Sequence, residues 1–360
     1  MSNGYIGKFQ VLAEVGRGGM GIVYKALNPD TQGLVAIKML LPQFASDHDV
    51  VSRFKAEAIA AARLRHPNIV HIYDASELNG SLCIVMEYLD GVDLDRLIPP
   101  EGLRDWNLVR RIALQIGEAL HHAHRYDVVH RDVKPSNVIV DVDRDYRAVL
   151  TDFGIAKVRS SSLTASGTVL GTPEFMSPEQ VLGNVQVDAR TDMYSLGAVM
   201  FTMLAGRPPF RTDQPYATMR LKVETPPPYP SEVARIRLPE DLETITLRLL
   251  QIDPSRRFTT DDEYLVALRE QTPVQLPPRA VPPPVAAPQP APEISAGGSV
   301  RMFCTYCGTE LYAAPEDRFC IWCGKPLPER PEPAPGYAAA APTIPGQPVD
   351  RSAPTIIEQR

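Results

Sequence analysis

Two carboxylates, an amide and a lysine lie close together in this chain of 360 residues, as Asp132, Lys134, Asn137 and Asp152. A hydroxyl that attacks phosphorus needs a carboxylate to orient it and accept its proton, and Asp132 could supply that group. Asn137 and Asp152 offer hard oxygen ligands suited to Mg²⁺ bound jointly with phosphates. Lys134 could lie beside the transferred phosphate as a point charge. These residue types predict phosphoryl-transfer chemistry.

The sequence around these residues resembles that of a known protein family. Residues 130–137 read H-R-D-V-K-P-S-N and residues 152–154 read D-F-G. Both stretches resemble the catalytic and magnesium loops of eukaryotic-type (Hanks-type) bacterial serine/threonine protein kinases. The resemblance implies that Asp132 is the catalytic base, that Lys134 holds a phosphate, and that Asn137 and Asp152 bind Mg²⁺ or Mn²⁺. It also implies that His130 stacks on Phe153.

A glycine turn near the N-terminus is expected to cover the phosphates of ATP. Residues 9–25 read as strand, turn, strand, with Gly16, Gly18 and Gly21 in the pattern G-x-G-x-x-G. The pattern alone is weak, because a dinucleotide-binding turn shares it, but there a helix follows the glycines. Here β-branched and aromatic residues follow, which favours a hairpin whose backbone can approach a phosphate closely.

The next strand ends in a lysine that resembles the phosphate-binding lysine of the family. Residues 35–38 read V-A-I-K, and this match makes a functional role for Lys38 more plausible than an ordinary surface lysine. A helix from about residue 50 to 65 is expected to carry Glu57, which the resemblance pairs with Lys38. An exposed helical Glu that serves solubility is the alternative.

The adenosine site is assigned by the same resemblance. Residues 86–89 resemble the hinge between kinase lobes, with Met86 behind the base and the backbone of Glu87 and Leu89 bonded to adenine. Asp93 matches a ribose-contacting position, although an acidic residue just before a helix is more often a cap. The residues matched to the adenine sandwich are Val23, Ala36 and Ile139.

From Asp105 the sequence pattern becomes helical. A period of 3.6 in apolar residues predicts a long helix over about 105–126. Its three terminal histidines could suggest a metal site, which we reject because no Cys or carboxylate lies at ligand spacing nearby. The resemblance also assigns three structural positions: Asp192 holds the catalytic-loop backbone, and Glu179 pairs with Arg257.

Hydroxyl side chains crowd the segment between Gly154 and Glu179. The resemblance gives Arg131 the role of binding a phosphate there, and a new Arg–phosphate pair can order a loop. The phosphorylation sites expected from the family are Thr168 first, then Thr164 and Ser166. In the family, residues 171–179 accept a peptide, and Thr172 with Lys134 is typical of serine/threonine specificity.

Beyond residue 270 the sequence changes to Pro, Ala and Val. A linker without a core is followed by Cys304-x-x-Cys307 and Cys320-x-x-Cys323. Two such pairs predict a closed tetrahedral Zn²⁺ site and resemble a zinc ribbon. A disulfide pair is the alternative, disfavoured because no export signal is present. The ribbon carries few basic residues, which favours a protein partner over nucleic acid.

Net charge and composition limit which other functions the chain can have. A net charge of −6 argues weakly against nucleic-acid or anionic-membrane binding. No apolar run is long enough to span a membrane, so a cytoplasmic protein is expected. The tail repeats Ala-Pro-Thr-Ile, and Thr343 and Thr355, if phosphorylated, could dock a protein partner. Chance recurrence in a Pro/Ala-rich tail is the plain alternative, and a kinase homodimer is a further hypothesis.

The expected fold class is α+β, with a bilobal kinase domain plus a zinc ribbon. The antiparallel N-lobe sheet carries one helix, and the C-lobe is mainly helical. The expected ranges are a kinase domain at 9–270 (N-lobe 9–86, hinge 87–90, C-lobe 91–270), a linker at 271–300, a ribbon at 301–328 and a disordered tail at 329–360. The expected activity is transfer of the γ-phosphoryl group of ATP to protein Ser/Thr, including autophosphorylation, in signalling. The rivals are a pseudokinase scaffold and a small-molecule kinase.

Overall fold

A computed structural model of the chain describes residues 4–18, 21–45, 47–153, 172–183, 187–276, 300–303 and 310–313. It describes only the backbone of residues 49, 53, 56, 57, 60, 300–303 and 310–313. The chain divides into two compact units, residues 1–295 and 296–360.

The strands of the first unit are β1 (Tyr5–Ile6), β2 (Phe9–Arg17), β3 (Gly21–Leu27), β4 (Leu34–Leu40), β5 (Ile72–Leu78), β6 (Ser81–Glu87), β7 (Val92–Asp93), β8 (Val138–Asp141) and β9 (Arg147–Leu150). Its α-helices are α1 (His48–Ala62), α2 (Leu94–Leu97), α3 (Trp106–His124), α4 (Pro178–Val181), α5 (Ala189–Ala205), α6 (Pro215–Glu224), α7 (Pro230–Ala234), α8 (Glu240–Leu249) and α9 (Asp261–Glu270).

The N-terminal lobe is an antiparallel sheet with the strand order β1-β2-β3-β4-β6-β5. Of the predicted glycines, Gly16 lies on β2, Gly18 follows β2 and Gly21 begins β3; the N–H of Gly18 donates to the carbonyl of Gly21 at 2.9 Å. A Cβ at Gly21 would lie 2.7 Å from the carbonyl oxygen of Met39, so this position requires glycine for close strand approach. The hairpin expected from the sequence is therefore present.

Helix α1 begins two residues earlier and ends three residues earlier than the sequence predicts. The carboxylate of Asp47 accepts the N–H of Val50 at 3.1 Å and so caps the first turn, which fixes the start at His48. Among the side chains that the structure describes, Phe54 and Ala58 are buried on the inner face of the helix. This amphipathic arrangement packs the helix against the sheet.

Strand β5 begins at Ile72, three residues later than predicted. The chain before it pairs with the other lobe instead: the N–H of Val70 donates to the carbonyl of Leu150 at 3.0 Å, and the N–H of Leu150 donates to the carbonyl of Asn68 at 2.8 Å. Backbone groups that are satisfied there cannot extend the sheet. Residues 68–70 thus join the two lobes.

The C-terminal lobe is built around α3 and α5. The carboxylate of Asp105 caps α3 by accepting the N–H groups of Asn107 and Leu108 at 3.0 and 3.1 Å. Helix α5 is buried on all sides from Thr191 to Ala205, as expected of a helix at the centre of a helical lobe.

A three-stranded sheet of order β7-β8-β9 lies in the same unit. Strands β8 and β9 form an antiparallel hairpin in which Val138 pairs with Leu150 at one end and Asp141 pairs with Arg147 at the other. The first of these two ends is where the catalytic residues were predicted.

The second unit contributes the antiparallel strands β10 (Val300–Phe303) and β11 (Glu310–Ala313). Val300 pairs with Ala313, and Phe303 pairs with Glu310. In the part of the chain that the structure describes, no helix is both long enough and apolar enough to cross a membrane.

Candidate active site

The hairpin of β8 and β9 brings the two predicted magnesium ligands to one end of the same element. Asn137 directly precedes β8, and Asp152 follows β9 after one intervening residue, Thr151. The N–H and the hydroxyl of Thr151 donate to the carbonyl of Asn137 at 2.8 and 3.1 Å. Antiparallel pairing therefore holds together two residues that lie far apart in sequence.

The predicted base is held by the residues that follow it. The ammonium of Lys134 lies 3.0 Å from Oδ2 of Asp132. The side-chain NH₂ of Asn137 donates to the main-chain oxygen of Asp132 at 2.8 Å and to its Oδ2 at 3.2 Å. These contacts fix the Asp132 carboxylate beside the Lys134 ammonium, near the residue that precedes β8.

Lys38 and Asp152 bridge the two lobes. The ammonium of Lys38, on β4, donates to Oδ1 of Asp152 at 2.8 Å. Burial opposes ionisation of Asp152, but the Lys38 ammonium outweighs it and lowers the pKa of the carboxyl. Glu57, the partner expected for Lys38, lies on α1, but its side chain is outside the described residues.

The donor groups fit a hard divalent cation. Because both N–H bonds of the Asn137 amide point toward Asp132, its oxygen is the atom that it can offer to a metal. Asp152 keeps one carboxylate oxygen beyond the one that Lys38 binds. Within the described ranges no cluster of three His, Cys, Asp or Glu could hold a metal by itself. A cation here would therefore need phosphate oxygens as further ligands, which is the usual manner of Mg²⁺.

Two site residues have a strained backbone. Arg131 has φ of 66° and Asp152 has φ of 55°, in the left-handed region that non-glycine residues rarely adopt. Strain of this kind persists only where the surroundings determine it, and it is common at functional sites. Here it lies next to the base and at a predicted metal ligand.

His130 and Phe153 form the expected stack, with ring centroids 4.5 Å apart. The His130 ring accepts the N–H of Asp132 at Nδ1 (3.2 Å), and Nε2 contacts the carbonyl of Thr151 at 3.0 Å. Burial lowers the pKa of His130 despite nearby carboxylates, so the ring is neutral and donates from Nε2. The ring thus ties the catalytic loop to the residue before Asp152.

Asp192 holds the catalytic-loop backbone, as the resemblance implied. Its two carboxylate oxygens accept the N–H groups of His130 and Arg131, each at 2.7 Å. Although burial opposes ionisation, the hydrogen bond from His124 at 2.9 Å outweighs it and lowers the pKa of Asp192. His124 also contacts Asp261 at 2.7 Å through Nδ1.

The role of His124 was missed at the sequence level. No carboxylate lies at ligand spacing from these histidines in the sequence, but the fold brings two carboxylates to His124 from α5 and α9. Although burial disfavours a charged ring, the hydrogen bonds to Asp192 and Asp261 raise the pKa of His124 to about 10. His124 is therefore a buried imidazolium that supports Asp192, and no local pattern indicates this.

Most of the residues predicted to contact adenosine lie on paired strands of the two sheets in the first unit. Gly16 pairs with Val23 across β2 and β3, and Ala36 pairs with Met86 across β4 and β6. Ile139 lies on β8, in the three-stranded sheet, and pairs with Asp93 on β7. Leu89 follows β6 and packs against the hydrophobic core.

The hinge residues differ in what they can offer to a base. The N–H of Glu87 donates to the carbonyl of His71 at 2.8 Å, so an adenine contact at Glu87 would use its carbonyl. The carboxylate of Glu87 pairs with Arg147 at 3.1 Å. Asp93 precedes α2 without a side-chain cap and forms an ion pair with Arg96 at 3.3 Å, so the capping alternative is not observed.

A buried ion pair anchors the segment after the activation loop. Glu179 receives two bonds of 2.8 Å from the guanidinium of Arg257, which also donates to backbone carbonyls, including that of Arg190 at 2.7 Å. The pair is strongly desolvated, and such pairs are stable only when fully hydrogen-bonded.

Several predicted residues lie outside the described residues. These are the phosphorylation sites Thr164, Ser166 and Thr168, the cysteines Cys304, Cys307, Cys320 and Cys323, and the tail residues Thr343 and Thr355. Arg131 is described, and its Nε is buried with no hydrogen-bond partner in that part of the chain.

The chain was compared with known proteins. Residues 9–265 match the protein kinase domain family. The chain belongs to this family. A probable serine/threonine-protein kinase of Clostridium acetobutylicum is 37% identical over 259 residues, which are 72% of this chain and 39% of that protein. Serine/threonine-protein kinase pkn3 of Myxococcus xanthus is 38% identical over 273 residues, 73% of this chain and 49% of that protein.

Solved kinase structures agree with this assignment. The crystal structure of the Mycobacterium tuberculosis PknI kinase domain superposes with a TM-score of 0.57 at 30% identity, covering 75% of this chain and 99% of that one. The prediction of a kinase fold with a sheet-based N-lobe and a helical C-lobe is thus confirmed. The chain spans less than half the length of the two curated relatives named above.

The His124 pair gives a test of the support beneath the kinase site. The pKa of His124 is raised above the unfolded value near 6.5, so its stabilisation is complete below about pH 6.5 and is lost as pH rises through about 10. Asp261→Asn removes one carboxylate. We therefore expect a lower His124 pKa by NMR titration and a smaller loss of unfolding free energy between pH 7 and 10.

The matched control is Asp262→Asn, the same change at the next residue, whose side chain is 75% exposed and 3.7 Å from His121. It should leave the His124 titration unchanged. Equal shifts in both variants, or none in Asp261→Asn, would contradict the paired imidazolium.

Proposed function

We propose that this kinase domain transfers the γ-phosphoryl group of ATP to serine and threonine residues of proteins. One observation carries the proposal: Lys38 from the N-lobe meets Asp152 at 2.8 Å, at the same hairpin end where Asp132, Lys134 and Asn137 are hydrogen-bonded together. These contacts support the proposal because they bring together charged groups of the kind that phosphoryl transfer requires.

Each residue has a defined task in the reaction. Asp132 orients the acceptor hydroxyl and takes its proton while the new P–O bond forms and the bond to the ADP oxygen breaks. Lys38 and Lys134 hold phosphate oxygens as point charges. Asn137 and Asp152 would hold Mg²⁺, which supplies neutralisation of the phosphate charge when bound. The proton leaves Asp132 for solvent after product release.

Asp132→Asn tests the activity. Loss of the proton acceptor should reduce phosphoryl transfer to protein acceptors by about 10²- to 10⁴-fold. ATP binding, followed as a nucleotide-dependent thermal shift, should persist because Lys38, Asn137 and Asp152 are intact. Labelled ATP with candidate proteins provides the activity measurement, on the intact chain and on a chain truncated after residue 275.

The matched control is Asp143→Asn, which makes the same change at an exposed position in the turn between β8 and β9. It should keep wild-type activity. A wild-type chain that binds ATP but phosphorylates no protein would contradict the proposal and favour the pseudokinase scaffold.

Autophosphorylation of the activation loop is the second part of the proposal. Arg131 lies next to the base, and its buried Nε lacks a partner within the described residues, which suits it to bind a phosphate. After incubation with ATP and Mg²⁺, mass spectrometry should find phosphate on Thr168, Thr164 or Ser166. The Asp132→Asn chain, purified and treated identically, should carry none, and an unmodified wild-type loop would refute this part.

We also propose that the second unit binds structural Zn²⁺ through Cys304, Cys307, Cys320 and Cys323. Strand β10 ends at Phe303 and β11 begins at Glu310, so the first pair falls in the connection of an antiparallel hairpin. Four thiolates at this spacing suit a closed tetrahedral site, and so short a segment needs metal to fold.

Elemental analysis of the purified full chain tests the zinc proposal. The wild type should contain one zinc per chain, and Cys304→Ser should lose most of it because a three-thiolate site binds more weakly. Cys83→Ser is the control, since Cys83 is buried in the N-lobe at 1% exposure and should leave zinc content unchanged. A metal-free wild type with oxidised cysteines would support the disulfide alternative.

Other partners follow from the sequence alone. A kinase homodimer, a protein partner of the ribbon, docking through phosphorylated Thr343 or Thr355, and a cytoplasmic location stay predictions. So do the domain ranges given above.

A further inference from the structure

Lys222 on α6 is buried completely, with 0% of its surface exposed. Lysine side chains are almost never fully buried unless a specific partner holds the ammonium. Its Nζ donates to the main-chain carbonyl of Glu174 at 2.7 Å. The same ammonium lies 5.0 Å from the ring centroid of Tyr194 and 5.7 Å from that of Phe210. The fold thus encloses the Lys222 amino group and directs it at one backbone oxygen.

That oxygen belongs to residues Thr172–Ser177, which we name the acceptor segment because the family uses this region to receive a peptide. The hydroxyl of Ser195, on α5, donates to the next carbonyl, that of Phe175, at 2.9 Å. Two consecutive carbonyls of the segment are therefore held by side chains from two different helices.

The far end of the acceptor segment is tied to the catalytic loop. Ser177 caps α4, and the side-chain amide of Gln180 donates to the carbonyl of Arg131 at 2.9 Å. Arg131 directly precedes the base Asp132 in sequence. The position of the segment relative to Asp132 is consequently set by three side-chain bonds, from Lys222, Ser195 and Gln180.

The charge around Lys222 is consistent with an anchoring role. Burial lowers the pKa of Lys222 to about 7, and the Glu174 carboxylate partly opposes this effect. The guanidinium of Arg257 lies 5.0 Å from the Tyr194 ring that Lys222 also contacts. Both the ammonium and the amine carry N–H donors, so Lys222 can donate to the Glu174 carbonyl at pH values above and below its pKa.

We propose that Lys222 is a positioning residue for phosphoryl transfer, which fixes the acceptor segment so that a bound peptide presents its hydroxyl to Asp132. This inference rests on the proposed function. A lysine that only filled space would be replaceable by methionine, which has similar length and no donor. A lysine that positions the segment would not be replaceable in this way, because the Glu174 carbonyl would lose its partner.

Lys222→Met in the full chain separates these cases. Without nucleotide or acceptor, hydrogen exchange at the amides of residues 174–177 should accelerate by about tenfold, as expected for the loss of one hydrogen bond. In the kinase assay, KM for a peptide acceptor should rise by about fivefold or more, and KM for ATP should change less than about twofold.

Lys8→Met is the matched control, because Lys8 is exposed on the N-lobe and pairs with Asp30. It should match the wild type in every measurement. Should Lys222→Met fold poorly, Ser195→Ala provides the second variant: it frees the neighbouring carbonyl and should accelerate exchange in the same residues.

Unchanged exchange in residues 174–177, or a parallel rise of both KM values, would overturn the positioning role. The exchange measurement needs no catalysis, so it decides the role of Lys222 even if the wild type phosphorylates no protein. A wild type that phosphorylates no protein would refute the proposed function, whatever the exchange measurement shows.

Discussion

The catalytic loop depends on a single buried carboxylate. Asp192 is fully enclosed, and an isolated charge there would be prohibitively costly without partners. Its oxygens are satisfied by two backbone N–H groups of the loop and by the His124 imidazolium. The charge therefore stabilises a loop conformation that includes the left-handed residue Arg131, which directly precedes Asp132.

Residues 68–70 connect the two lobes by hydrogen bonds, within a hydrophobic cluster that includes residues of both lobes. The side-chain amide of Asn68 donates to Gln115 and to the carbonyl of Ala148, both at 2.7 Å, while its backbone pairs with Leu150. These bonds attach the N-lobe to the hairpin that carries Asn137 and Asp152. The ammonium of Lys38 then contacts Asp152 at 2.8 Å, so a second contact joins the N-lobe to the residue that follows this hairpin.

The sequence predicted the groups whose spacing is local. The loop from His130 to Asn137 and the Asp152 motif are short patterns, and the structure brings their side chains together with Lys38. The helix and strand boundaries were less accurate: β5 starts late because residues 68–70 bond to the other lobe, an interaction with no local signal.

Two residues could not be found by pattern. His124 acquires its carboxylates from positions 68 and 137 residues away. Lys222 alternates with apolar residues on α6, and nothing in this local pattern shows that the fold places aromatic rings around it. Long-range pairing of a charge with its counter-groups is a property of the tertiary structure, and hydrophobic periodicity contains no information about it.

The hairpin of β8 and β9 has one consequence for engineering. Its reactive end lies at the pairing of Val138 with Leu150, whereas its turn begins beyond the opposite pairing of Asp141 with Arg147. Val142, at 42% exposure, and its neighbour Asp143 protrude from that turn. Extra residues inserted between them, such as an epitope or a fluorophore-labelling tag, would extend into solvent, separated from Asn137 and Asp152 by the length of the paired strands.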